Sequence, residues 1–315
     1  MIKKVLLSLL LGLGINTVYA SSIKLVVPLT AGATMDDIAR TIAPVLSKKL
    51  DKNIIVENKP GASGAIGMSY VASAPADGLT IVATNNGLTN MVPLLNSNAG
   101  YDSSSFTSLG LIGVSPLVLV TSTTIPATNI KELEEYTKNN LGKTSWASPG
   151  LGTNLHLLGE LLKNQRNLDM VHVQYKGMAQ AMIDVSQGRV TMMFDIPNPK
   201  MFNFFEVNKM KPIAVTGNKR IESLPNIPTV SEQGYAFLNS HVWFGLAVHV
   251  NTPTAIVNQL QIALNETLQD PEVMNKLKTL GINPSGVAYT ESQKYIDNER
   301  KRWTSVITKA NIKAE

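Results

Sequence analysis

The chain of 315 residues contains no cysteine. Disulfides, thiolate nucleophiles, cysteine-type zinc sites and a lipid-attached cysteine at a processed N-terminus are therefore excluded, and stability has to come from packing. Charge is scarce too, at 16% of residues, and no run of basic residues occurs. Nucleic acid needs a dense basic stripe, so that partner is excluded. Long apolar stretches are confined to the start. Met1-Ile2-Lys3-Lys4 supplies positive charge, residues 5–15 are almost unbroken apolar, and Val18-Tyr19-Ala20 ends in the small residues of a cleavage site. That stretch is short of the ~20 residues that span a bilayer. Residues 1–20 thus read as a signal peptide, with an exported, soluble chain beginning at Ser21. Loss of Lys3 and Lys4 leaves 26 Lys and Arg against 23 Asp and Glu, a net charge of +3. So mild an excess suits a small anionic ligand.

Catalytic signatures are missing as well. There is no Gly-x-Ser-x-Gly turn and no His-Glu-x-x-His pair, and the histidines at 156, 172, 241 and 249 have no ligand spacing. No metal or cofactor is expected. A secreted hydrolase would need an activated nucleophile, and Ser63 and Ser148 show no base or orienting acid in sequence. Asp195 is a lone carboxylate at the end of a strand, placed to orient loops or a ligand hydroxyl.

What is present is periodicity. Strand-like runs at 22–27, 54–56, 79–83, 109–114, 117–120, 144–146, 170–173, 190–194, 211–215 and 242–247 alternate, over most of the chain, with helical spacing at 38–46, 65–74, 129–140, 154–163 and 178–187. From residue 254 onward the pattern is nearly all helical. Alternation of this kind predicts an α/β architecture of mostly parallel sheets flanked by helices. The length suggests two domains at the usual ~100 to 200 residues each. The expected layout is a first lobe of 21–121 plus 240–315 and a second of 122–239, joined near Thr121 and Asn239 by two crossings that form a hinge.

Four stretches put glycine or hydroxyl residues where strands lead into helices, the place where open α/β sheets bind ligands. They are Pro28-Leu29-Thr30-Ala31-Gly32-Ala33-Thr34-Met35-Asp36, then 57–67 with Gly61, Gly64 and Gly67, then Ser148-Pro149-Gly150-Leu151-Gly152-Thr153-Asn154, and Tyr175-Lys176-Gly177. Small side chains there expose backbone N–H groups, and the positive end of a helix dipole favours an anion. The stretch at 57–67 lacks the lysine of a phosphate-binding loop and the spacing of a dinucleotide fingerprint. A turn and helix cap, with Thr34 or Asp36 as capping residue, is the alternative reading of the first stretch.

Together these residues resemble the extracytoplasmic receptors of tripartite tricarboxylate transporters, the Bug receptors. The resemblance covers nearly all of the exported chain. It rests on Asp36 with Ala39-Arg40, on Val56-Glu57-Asn58-Lys59-Pro60-Gly61-Ala62-Ser63-Gly64, on Asp77-Gly78-Leu79-Thr80, on Gly150-Leu151-Gly152-Thr153 with His156-Leu157, on Tyr175-Lys176-Gly177 and Phe194-Asp195, and on Leu224-Pro225-Asn226-Ile227-Pro228-Thr229 with Glu232-Gln233-Gly234. It implies a two-lobed periplasmic clamp, not an enzyme, that closes on a small organic carboxylate and passes it to membrane permease subunits. A sensory receptor would share this architecture. A monomer is expected. The ligand-binding residues it implies are Thr30, Ala31, Gly32, Ala33, Thr34 and Asp36 in one lobe, and Gly152, Thr153, Asn154, Tyr175, Lys176, Gly177 and Asp195 in the other. The family usually has Pro-Gly-Gly in the first loop, where this chain has Ala31-Gly32-Ala33.

Overall fold

A computed structural model describes residues 22–285, 289–309 and 312. The expected signal peptide and the boundary before Ser21 lie outside the described residues. The chain runs β1 (Ile23–Val27), α1 (Thr34–Leu50), β2 (Ile54–Asn58), α2 (Ala65–Ala72), β3 (Thr80–Asn85), α3 (Val92–Leu95), β4 (Phe106–Pro116), β5 (Val118–Ser122), α4 (Ile130–Asn139), β6 (Thr144–Ser148) and α5 (Asn154–Arg166). It continues β7 (Met170–Gln174), α6 (Met178–Ser186), β8 (Met192–Asp195), α7 (Pro199–Glu206), β9 (Met210–Val215), β10 (His241–His249), α8 (Thr254–Leu268), α9 (Pro271–Thr279), β11 (Asn283–Pro284) and α10 (Tyr289–Lys309).

The strands form two sheets, one in the order β11-β4-β10-β3-β1-β2 and the other β7-β6-β8-β5-β9. Central strands such as Leu25-Val26-Val27 and Val118-Leu119-Val120 are buried on both faces, which is why they read as continuous apolar runs rather than alternating ones. Helix α1 buries Met35, Ile38, Ala39, Ile42 and Leu46, a stripe at helical spacing. Its first turn carries Asp36 and Asp37 and its last turn Lys48 and Lys49, matching the helix dipole. Helix α8 packs on α1 and β4, so the C-terminal helices complete the first sheet's layer.

Most strands of each sheet run in one direction, as expected, but neither sheet is wholly parallel. Pairs β1-β2, β1-β3, β6-β7 and β6-β8 are parallel, while β10 runs antiparallel to β3 and β4, and β5 antiparallel to β8 and β9. Of the reversed strands, β5 and β10 are the ones that receive the chain from the other sheet, while the two-residue β11, antiparallel to β4, follows α9. A strand that runs toward the space between the sheets hands the chain across that space, so the receiving strand must run away from it. The first crossing comes earlier than expected. Residues 118–121 belong to β5 in the second sheet, so the chain leaves the first sheet at Leu117, not near Thr121.

Three segments meet where the chain passes between sheets. The Leu117 N–H donates to Thr216 Oγ1 at 2.8 Å, and that hydroxyl donates to the Ser240 carbonyl at 2.6 Å. The Thr216 N–H donates to the Leu117 carbonyl at 2.9 Å, and the Ser240 N–H to the Thr216 carbonyl at 3.0 Å. All three residues are fully buried, so water has no access to any group left over. Thr216→Val should strand the Leu117 N–H and the Ser240 carbonyl and cost about 1 to 3 kcal/mol of stability. Thr216→Ser, which keeps the hydroxyl, should recover most of it. Urea denaturation of the three proteins checks this, and a valine variant as stable as the parent contradicts it.

Candidate functional site

Because β1, β6, β7 and β8 all run toward the space between the sheets, the helices that follow them begin there. The first turns of α1, α5, α6 and α7 border a single cavity of about 170 Å³. Each helix leaves its first N–H groups without intrahelical partners and carries a partial positive charge at that end. Convergence of four such ends gives the cavity a partial positive charge that favours an anion before any charged side chain is counted.

The four ends are not equivalent. Thr153 caps α5, accepting the His156 N–H at 3.3 Å, and Asn198 caps α7, accepting the Met201 N–H at 3.0 Å. Ala33 before α1 and Gly177 before α6 make no side-chain capping bond. These two helices start on opposite walls of the cavity, so close that a Cβ at Gly177 would lie 3.1 Å from Thr30 Oγ1. The amides of Thr34 and Met35 on one wall, and of Met178 and Ala179 on the other, are the groups a bound anion would cap.

The first loop needs only one glycine. Gly32 has φ of 76° and Ala33 has φ of −74°, so alanine at the family's usual second glycine position is unstrained. Asp36 turns away from the cavity. Its carboxylate accepts the Gly32 N–H at 2.9 Å, Arg40 Nε at 3.0 Å and Asn58 Nδ2 at 2.9 Å. Burial opposes its charge, but these hydrogen bonds, led by Arg40, outweigh that and hold its pKa below the ordinary value. Asp36 therefore fixes the loop's shape and does not face the ligand.

Of the residues expected in the site, Thr30, Ala31, Gly32, Ala33, Thr34, Thr153, Asn154, Lys176, Gly177 and Asp195 line the cavity, while Asp36, Gly152 and Tyr175 do not. Gly152 instead allows the second lobe to approach the first, since a Cβ there would sit 3.1 Å from Val92 Cα. The Tyr175 hydroxyl donates to Asp184 at 2.8 Å. Burial, followed by that carboxylate, pushes the phenol up to about 12. The Thr153 hydroxyl, expected from sequence to donate to a ligand, has its one proton engaged by the Gly150 carbonyl at 2.8 Å. Asn154 Nδ2 points to the His241 carbonyl at 3.4 Å, which ties α5 to the strand receiving the chain.

Ser63, from the 57–67 stretch, also lines the cavity; sequence reasoning missed Asn85, Asn198 and Lys200, and the apolar wall formed by Leu88, Met178, Met182 and Phe244. Asn198-Pro199 is a helix start in its own right, an N-cap followed by proline at the first helical position, and it would have placed Lys200 at the site. The Lys200 ammonium donates to the Gly32 carbonyl at 2.8 Å and lies 3.7 Å from Asp37, joining second-lobe α7 to first-lobe α1. Asp195 ends β8, only 5% exposed. Its Oδ1 accepts the Ile196 N–H at 2.8 Å, and its Oδ2 is buried without a partner. Burial pushes this carboxyl up to about 7, against the smaller pull of the Ile196 N–H and Lys200.

One pair resembles a nucleophile and base. Ser148 Oγ is 2.7 Å from His172 Nε2. Ser148 is fully buried and its hydroxyl also receives the Gly150 N–H, so no substrate reaches it. His172 packs against Trp146 and His156, at centroid distances of 5.2 and 4.6 Å, and burial drives His156 down to about 3. The cluster is packing. Among the described residues no group of three or more His, Cys, Asp or Glu side chains is placed to hold a metal ion.

The family model described as "Tripartite tricarboxylate transporter family receptor" matches residues 38–312. The periplasmic binding protein BugD has a similar structure, with a TM-score of 0.84 and 32% identity over 93% of this chain and 99% of that one. An R. palustris protein solved with adipate has the same TM-score and identity, over 92% and 97% of the two chains. MatC from Rhodopseudomonas palustris, solved with bound malate, is 26% identical at a TM-score of 0.84, over 91% and 98%. A chain that folds as they do, with its strand ends and helix starts gathered on one anion-attracting cleft, is a receptor rather than an enzyme, and it belongs to the tripartite tricarboxylate transporter receptor family of periplasmic solute-binding proteins.

Proposed function

We propose that this receptor captures a small organic carboxylate with an apolar body between its two lobes and delivers it to the membrane subunits of a tripartite transporter. The observation that carries the reading is the pair of helices, α1 and α6, that begin without side-chain caps on facing walls of the cavity. A carboxylate between them accepts from both lobes at once, which couples binding to closure. Relatives solved with adipate and with malate support the choice of ligand class. Leu88, Met178, Met182 and Phe244 suit hydrocarbon better than a densely hydroxylated acid. The lobes swing about Leu117, Thr216 and Ser240. Each charge-assisted hydrogen bond contributes roughly 1.5 to 3 kcal/mol, so a few account for micromolar affinity, about −8.2 kcal/mol.

A thermal-shift panel of straight-chain, hydroxylated, aromatic and tricarboxylic acids should stabilise the protein most with acids that carry an apolar spacer. Equal shifts for those acids and their methyl esters would contradict a carboxylate site. Thr34→Pro tests the donors directly. Proline is tolerated at the first helical position, and Ala33 is already extended as a residue before proline must be, so the variant loses the N–H together with the side-chain hydroxyl, and Thr34→Val, which loses the hydroxyl alone, separates the two. The proline variant's affinity should fall roughly tenfold or more with nearly unchanged stability. Thr153→Val should do the reverse, losing about 1 kcal/mol of stability with its cap while binding changes little.

Export through residues 1–20 is part of the same reading. Intact-mass analysis of the exported protein should give a chain beginning at Ser21, and a retained leader would contradict it.

A further inference from the structure

The cavity wall contributed by β8 holds a carboxyl group that is poorly provided for as an anion. Asp195 has a single hydrogen bond, from the Ile196 N–H to Oδ1, and Oδ2 is sealed from solvent without a donor. A buried ionised carboxylate ordinarily accepts several hydrogen bonds or an ion pair. The cation near enough to act on it, Lys200 on α7, is turned to the Gly32 carbonyl and Asp37. The other elements around it supply no pairing charge. Lys176, ahead of α6, lies on the exposed part of the cavity wall. Asp184 on α6 is held by Tyr175 and Arg189, and the flanking strands β5 and β6 carry no charged residue. On α5, His156 is neutral. On the first-lobe side Asp36 is paired with Arg40, and Asp37 with Lys200.

We propose that Asp195 takes a proton from solvent when the cleft closes on a carboxylate, and that the neutral acid then donates its Oδ2–H toward the anion. This rests on the carboxylate reading given above and adds to it that capture is coupled to uptake of one proton. Two carboxylates in one site cannot both stay ionised cheaply, and one is driven to hold its proton. Burial already brings Asp195 to about 7 in the empty protein, so a second anion in the cavity carries it higher. A protonated carboxyl turns an unusable buried acceptor into a donor for the ligand. Above neutral pH, affinity then falls about tenfold per pH unit, because each binding event has to draw one proton from solution.

The test is calorimetry of adipate and of malate binding to the parent and to Asp195→Asn, from about pH 5 to about pH 9, with a carbon-13 NMR titration of the Asp195 carboxyl in free and loaded protein. Asparagine mimics the protonated acid in shape and charge. The expected result is parental affinity that is flat below neutral pH and declines tenfold per unit above it. The variant should keep a flat profile and bind more tightly than the parent at the alkaline end. The Asp195 titration should sit near neutrality in the empty protein and move up with ligand. Without ligand, a raised carboxyl stabilises the fold at low pH and loses that contribution as pH rises through its folded value, so the parent should become less stable relative to Asp195→Asn over that rise. An Asp195 that titrates in the ordinary carboxylate range, or parental affinity that is flat with pH while the acids bind, overturns the inference and leaves carboxylate capture standing. Failure of both acids to bind either protein at any pH overturns the capture reading itself, and the inference with it.

Discussion

Helices α1 and α6 begin with amide groups that no side chain caps, and they begin on opposite sides of one cavity. Peptide N–H groups left without an acceptor are costly once water is expelled, so an open pair of helix ends is stable only while solvent or a ligand reaches it. Much else in the molecule serves to keep that pair open and facing. Asp36 and Asn58 hold the Gly32 turn from behind, leaving the first turn of α1 bare. Gly177 keeps the start of α6 narrow enough to approach Thr30. The buried cluster of Trp146, His156 and His172 gives the base of α5 a rigid seat beside them.

Strand direction explains why these ends meet at all. Strands β4 and β9 run the same way as the strands that deliver their helices to the cleft and hand the chain across it, so the receiving strands β5 and β10 run the opposite way. The result is a junction of three short segments whose backbone groups bond to one another and to the Thr216 hydroxyl inside the protein, at Leu117, Thr216 and Ser240. Lys200, reaching from α7 to the Gly32 carbonyl, ties the rim where the lobes touch.

Much of this was legible in the sequence, because periodicity and glycine-rich junctions are local signals. The alternation of strands and helices, the four junction loops and the polar part of the cavity wall that those loops form follow from short windows of residues. What escaped was what depends on direction and on competition for hydrogen bonds. The spacing of Asp36 does not reveal that Arg40 and Asn58 claim its carboxylate, nor does that of Thr153 reveal that Gly150 claims its proton. Tyr175 sits in a junction loop, yet Asp184 draws its hydroxyl out of the cavity. The apolar strand at 117–120 gave no sign of which sheet it joins, since a strand buried on both faces reads alike in either. Asn198-Pro199 was readable as a helix start, and with it Lys200.

The central claim is that one carboxylate is held by bare helix amides from both lobes together. Nitrogen-15 amide shifts of Thr34, Met35, Met178 and Ala179, followed as adipate is added, test it most directly. The account predicts that all four move with a single shared dissociation constant, because neither wall binds the anion without the other. Movement confined to the amides of one lobe, or two sets that saturate at different concentrations, would contradict it.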